Sequence, residues 1–274
     1  MVTTRPDILY KYADLTTAWE SLEGSTLAFT PPSRFNDPFD TNPAIDMNLS
    51  DEEFEILWRR SGSAKDMPLQ EFIRQMRTNI PVSEAELKRH SYGMNNLTFG
   101  AVCFTAHPND PLMWAHYAGR HKGVVIGYDS NYGEMKKTCS VTYQANRHVL
   151  RLGDAFDETY LRVKNKVWEP EDEWRLIARL DACKVKLRDE VPIFVYPVQK
   201  EAVVCVKFGC RAPEDFKIAL ASSMKKWGYP RCQMINVMQC EKTYELCEEP
   251  YLFPLERAAL DAQGWRDESP GSHL

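Results

Sequence analysis

The chain has 274 residues, of which 43% are apolar, 27% charged and 11% aromatic, with a net charge of −5 and a pI near 5.8. A chain of this length and composition can bury a sizeable core, so it needs no disulfide framework or structural metal for stability. Its acidic balance argues against a protein that coats nucleic acid non-specifically, since phosphate contacts need basic surface, although a local basic groove stays open.

No apolar run reaches membrane-spanning length, and the opening MVTTRPDILYKY carries no apolar signal region. A cytoplasmic location and no membrane partner are therefore expected. Eight cysteines occur, none in a Cys-x-x-Cys pair, and the expectation is reduced, buried thiols.

In chain order, ILYKY at 8–12 is β-prone, and Asp14 to Leu22 has the spacing of a helix that Gly24 stops. A short strand, Thr26 to Thr30, ends at Pro31-Pro32. The turn segment SRFNDPFD (33–40) follows, with Asn36-Asp37-Pro38 suited to an Asx turn and Phe35 and Phe39 placed to pin the loop to the core. Residues 50–95 read as a helical insertion: a Ser50/Glu53 capping box opens one helix, a second carries Leu69, Phe72, Ile73 and Met76, and Ser83 with Glu86 opens a third. Leu97 to Thr105 is a central strand, Asp110-Pro111 opens a short helix, and Val124 to Tyr128 is the next strand. Val141 to Gln144 is a short strand. Residues 154–166 read as a helix with an acidic first turn and Lys164 and Lys166 near its end. A strand from Glu171 to Leu180 puts Glu171, Glu173 and Arg175 on one face. A strand–helix–strand unit closes the chain before a tail, 264–274, expected to be disordered. The whole predicts one α+β domain over 1–263, with a mixed, largely antiparallel sheet.

Several residue groups carry possible chemistry. His116, between two strands, suits a general base, a proton donor or a donor to phosphate; the alternative is a half-buried histidine bonded to backbone. Trp114 and Tyr117 beside it offer aromatic faces to a flat ring. Glu171 and Glu173 repel on one face unless Arg175 or a substrate cation compensates them, and the plainer alternative is a solvated Glu–Arg pair. Asn36 and Asp37 suit ribose hydroxyls, a metal, or simply a turn. Lys11 and Tyr12 end the first strand and can face the same cleft. G-x-G-x-x-G, Walker, H-E-x-x-H and G-x-S-x-G patterns are all missing, which disfavours a Rossmann dehydrogenase, a P-loop enzyme, a zincin and an α/β-hydrolase.

Four segments, LYKY (9–12), FNDPFD (35–40), MWAHYAGRHKG (113–123) and W-x-x-E-x-E-W-R (168–175), occur in a series that resembles a widespread prokaryotic family known only as a domain of unknown function. More distantly, the chain resembles the ADP-ribosyltransferase superfamily. Leu9–Tyr12 would match its first-strand motif, Trp114–Tyr117 its second, and Glu171-Asp172-Glu173 its Glu-x-Glu. No Ser-Thr-Ser stretch is present, and Lys11 stands where histidine or arginine is usual. The resemblance implies NAD as a consumed substrate, with Lys11, Asn36 or His116 positioning pyrophosphate and ribose, and Tyr12, Trp114 or Tyr117 stacking on nicotinamide. Glu173 would stabilise the oxocarbenium-like centre and Glu171 would activate the acceptor, with Asp37 and Arg175 lining the site. The acceptor would be a protein side chain, a nucleic acid or water. The expected setting is a toxin or phage-defence effector with an antitoxin or regulatory partner. The competing readings are a metal-dependent nuclease using Asn36, Asp37, Glu171 and Glu173, and a non-catalytic ligand or partner module.

Overall fold

The computed structural model describes residues 4–46, 48–78, 97–151 and 158–262. The chain is α+β, with mostly antiparallel strand pairing. It divides into two compact units: Met1–Leu9, Thr26–Ala106 and Ser130–Val198 form the first, and Tyr10–Ser25, His107–Asp129 and Gln199–Leu274 the second.

In the first unit, the strand Glu173–Arg179 pairs antiparallel with Phe99–Thr105 on one side, Glu173 opposite Thr105, and with Cys139–Ser140 on the other. The central position explains the burial of Trp174, Arg175 and Leu176 on both faces. A separate antiparallel sheet joins Lys184–Arg188, Val191–Pro197 and Thr26–Phe29. Two short parallel ladders complete the unit, Ala44–Asp46 with Val149–Arg151 and Thr142–Gln144 with Val163–Asn165. The insertion forms as its capping box predicts: Ser50 accepts from the Glu53 amide, Glu53 accepts from the Ser50 amide, and Asp51–Arg60 is helical. A helix through residues 69–78 packs Ile73 with Phe54 and Leu49. The helix expected from Ser83 lies outside the described residues, as does the C-terminal tail.

In the second unit, Val203–Phe208 runs antiparallel to Val124–Asp129 and parallel to Gln233–Gln239, whose other edge carries Leu246–Pro250. The strand Ile8–Ala13 runs into this unit beside Val124–Asp129. The expected strand–helix–strand unit is present, with Glu214–Trp227 as its helix and Gly228 as its left-handed cap at φ 73°. Trp19, on the helix Leu15–Gly24, meets Trp227 edge to face at 5.3 Å and tilts against Phe216. Asp110 accepts from the Leu112 and Met113 amides, which starts the short helix Pro111–Tyr117 as predicted. Gly123 is required where the chain leaves that segment, because a Cβ there would lie 2.1 Å from the Ala13 carbonyl oxygen.

Two expectations fail. The described part of the 154–166 helix is instead a 3-10 turn (Glu158–Arg162), the strand Val163–Asn165, and a second 3-10 turn (Lys166–Glu171). The parallel pairing with Thr142–Gln144 keeps the middle extended and turns Lys164 inward. The thiols are also not all reduced: Cys240 and Cys247 are bonded across the end of the Gln233–Gln239/Leu246–Pro250 hairpin, with their Cα atoms 5.4 Å apart.

Candidate functional site

A buried charge network lies in the first unit, and four short segments supply it. The FNDPFD loop contributes Asp40, the strand Val163–Asn165 contributes Lys164, the 3-10 turn that follows contributes Glu171, and the central strand contributes Glu173 and Arg175. The Arg175 guanidinium is fully buried and donates to both Asp40 oxygens, at 3.0 and 2.6 Å, and to Glu173 Oε1 at 2.7 Å. It also donates to the Leu161 carbonyl at 2.7 Å and lies 5.2 Å from the centre of the Phe35 ring. The Lys164 ammonium bridges Glu171 at 2.5 Å and Glu173 at 2.7 Å, with Asp40 3.9 Å away. Three carboxylates thus surround two cations, leaving one surplus negative charge.

The Glu-x-Glu carboxylates converge for a local reason. Asp172 takes a left-handed conformation at φ 41°, capping the 3-10 turn, and so aims Glu171 at the same ammonium that Glu173 meets. Aspartate tolerates this geometry better than a branched residue would. The Glu173 amide donates to the Tyr143 hydroxyl at 2.8 Å, which fixes the start of the strand.

Burial sets the electrostatics. It alone would raise the Glu173 carboxyl, but Arg175 and Lys164 outweigh it and hold the group at about 2. Burial raises Asp40 despite its Arg175 partner, with Glu173 adding repulsion. Burial would lower Lys164, but Glu173 and Glu171 together raise it, and it stays charged. Burial and Glu173 push the Cys103 thiol up, so it is a neutral neighbour and not a nucleophile.

Of the two aromatics expected to pin the FNDPFD loop, Phe35 is half-buried beside the Arg175 guanidinium, whereas Phe39 is 58% exposed, and Asp37 and Asp40 are buried in its place. Asp37 accepts from the Phe39 amide at 2.9 Å, the Asx turn the sequence predicts, and from the Trp168 indole at 2.7 Å. Trp168 in turn stands 5.1 Å from the Lys164 ammonium. Asn36 is exposed. Among the described residues no three potential ligands are arranged to hold a metal ion; the position between Glu171 and Glu173 is taken by Lys164.

Beside this network is a pocket of about 200 Å³. It lies where the Thr142–Gln144 and Val163–Asn165 strands end and the Ala44–Asp46 and Val149–Arg151 strands begin. Lys164 belongs to both pocket wall and charge network.

The other expected site residues fall in the second unit. Trp114 is fully buried, its indole donating to the Pro108 carbonyl at 3.0 Å. Tyr12 meets it edge to face at 5.4 Å and donates its hydroxyl to the His107 carbonyl at 2.8 Å. Both belong to a core cluster with Ala118, Val125 and Val237, against which Tyr117 packs. The rings expected to stack on nicotinamide are therefore engaged with the protein's own core. His116 is exposed, with its ring 6.1 Å from that of Tyr117, and Lys11 is half-buried.

Asp40, Tyr143 and Cys103 were not among the site residues expected from sequence, and Lys164 was read as a lysine near a helix C-terminus. Asp40 had a signal, since it ends the FNDPFD motif. Lys164 was masked by the helical reading of its segment, in which a lysine near the C-terminus needs no further explanation.

Residues 113–176 match the model of a family described as a protein of unknown function, DUF2971. The match spans two of the four motif segments, beginning at Met113 and ending just past Arg175. No curated protein and no solved structure matches the chain.

Proposed function

We propose that the protein is an ADP-ribosyltransferase-like enzyme that consumes a nicotinamide dinucleotide at the Glu171 end of the buried network. The observation that supports this reading most is the Glu171–Lys164–Glu173 bridge, a rigid pair of carboxylates beside a pocket. The roles differ from those the motif alone implies. Glu173 spends both oxygens on Arg175 and Lys164, so its part is to fix the two cations. Glu171 is the less buried of the two, its side chain 11% exposed against 4% for Glu173. A fixed carboxylate there stabilises positive charge developing at an anomeric carbon as nicotinamide leaves. The test is incubation with NAD and measurement of free nicotinamide. Release that Glu171→Gln abolishes supports the proposal; no release, or release that Glu171→Gln leaves unchanged, overturns it.

A binding module without chemistry is the second reading, and the saturation of Glu173 favours it. It predicts ligand-induced thermal stabilisation with no nicotinamide release.

A further inference from the structure

We infer that the pocket beside Lys164 is a binding site for a nucleoside 5′-monophosphate group. This inference extends the proposed function, resting on it for the choice of a dinucleotide as the natural source of that group.

The charge of the lining points to an anion. Arg147, His148 and Lys164 contribute to the walls and no carboxylate does, in a chain that carries 39 acidic against 34 basic residues. Arg147 is held in place, donating from Nε at 3.1 Å and from Nη2 at 2.5 Å to the Asn42 carbonyl. Those bonds, with a longer one from Nη2 to the Pro43 carbonyl at 3.4 Å, use Nε and Nη2, so Nη1 is the donor placed to meet a phosphate oxygen, and an arginine fixed in this way loses little freedom when it does so. The Lys164 ammonium is committed to Glu171 and Glu173. It therefore contributes field, and the direct phosphate contacts fall to Arg147 and His148.

The uncharged lining points to a base. Asn42, Gln144, Asn146 and Asn165 line the pocket; Asn42 donates to the Pro38 carbonyl and Asn165 accepts from the Val167 amide, and the remaining carboxamide groups are the candidates to meet a base. A carboxamide both donates and accepts, which matches the mixed donor and acceptor edge that a nucleobase presents. Phe39 lines the pocket with its ring exposed and with the Arg147 guanidinium 5.7 Å from its centre. A large apolar ring left in water at the edge of a polar pocket is a stacking surface.

Size limits the ligand. At about 200 Å³ the pocket is smaller than sites that enclose a drug-sized ligand, which run to ~300–1,000 Å³. The pocket cannot enclose a dinucleotide; it can hold only part of one nucleotide unit, and the remainder of the ligand would lie outside.

The test is calorimetry on the full chain with AMP, GMP, CMP and UMP, with adenosine as the dephosphorylated control and NAD as the dinucleotide arm. Saturable binding of at least one monophosphate is expected. Arg147→Ala should weaken it at least tenfold, and Phe39→Ala should weaken it while leaving the thermal midpoint unchanged, since that ring is exposed. Adenosine should bind at least tenfold more weakly than AMP. Absence of binding by all four monophosphates overturns the inference, as does equal binding to wild type and Arg147→Ala. Binding without nicotinamide release would remove the proposed function and leave this site standing. Release that none of the four monophosphates inhibits would do the opposite.

Discussion

Replacing Arg175 by methionine is the most informative perturbation of the network. The side chain is fully buried and makes four contacts with Asp40 and Glu173 and one with the Leu161 carbonyl. Methionine fills most of the volume and supplies none of the charge. Removing one partner of a buried ion pair costs ~3–5 kcal/mol, because the stranded charge keeps its desolvation penalty. The orphaned carbonyl adds ~1–3 kcal/mol. The sum rivals the whole stability of a typical domain, ~5–15 kcal/mol. The loss should also depend on pH. In the wild type Glu173 is held at about 2, below its ordinary value. Its contribution is present above about pH 4.5 and is lost as pH falls toward 2. In the variant, burial acts on Asp40 and Glu173 without the guanidinium, and both shift above their unfolded values. The variant therefore gains stability as pH falls through those raised values, and the gap to wild type narrows. Urea titrations followed by circular dichroism at pH 8 and pH 5 measure both effects, with equal slopes as the check on two-state behaviour. A destabilisation under ~1 kcal/mol at pH 8, the range of an exposed ion pair, or one identical at the two pH values, would refute the argument.

The core around Trp114 gives a contrasting case. Tyr12→Phe removes the bond to the His107 carbonyl but keeps the edge contact with Trp114, so a loss of ~1 kcal/mol is expected, with nicotinamide release unchanged. Loss of release at unchanged stability would restore Tyr12 to a ligand role. Gly123→Ala drives a Cβ into the Ala13 and Ala118 carbonyl oxygens, at 2.1 and 2.9 Å, and should cost at least the ~1–3 kcal/mol of an overpacked core; an unchanged thermal midpoint would refute the close approach. Reducing Cys240–Cys247 opens a loop whose ends are 7 positions apart and should lower stability by ~2–3 kcal/mol on the chain-entropy model. A midpoint indifferent to reductant, in a sample whose free-thiol count rises by two, would exclude that hairpin from the cooperative unit.

These tests also show which parts of the molecule were legible in the sequence. Local signals performed well. The capping box at Ser50, the cap at Asp110 and the stop at Gly228 act within a few residues, and the structure has each where the spacing puts it. The pairing of Glu173 with Arg175 was legible for the same reason, as period two on a strand. Lys164 was not. A lysine is classified by its segment, and the segment 158–166 has helical spacing but is claimed by a non-local parallel ladder with Thr142–Gln144. Asp40 was hidden by another non-local fact: its guanidinium partner lies 135 positions away. The disulfide was missed because its two thiols meet only when Gln239 pairs with Leu246.

The network calls for a reason beyond stability. A buried ion cluster with one surplus charge is often matched or bettered by apolar residues of the same volume, so burial energy alone does not account for it. The cluster makes directional bonds, which apolar side chains would not, between segments that go on to form the pocket. Asp40 is followed directly by Thr41 and Asn42, and Lys164 is flanked by Val163 and Asn165; all of these line the pocket except Asp40. Arg175 lines none of it, yet holds Asp40 through both oxygens. Arg175→Met should therefore weaken monophosphate binding severalfold at pH 5, where the variant is most nearly folded, without touching a ligand-facing group. Adding Asp40→Asn to it removes one stranded charge, so this double variant should regain stability but not affinity. If affinity follows stability instead, the network holds the unit together and has no separate part in shaping the pocket.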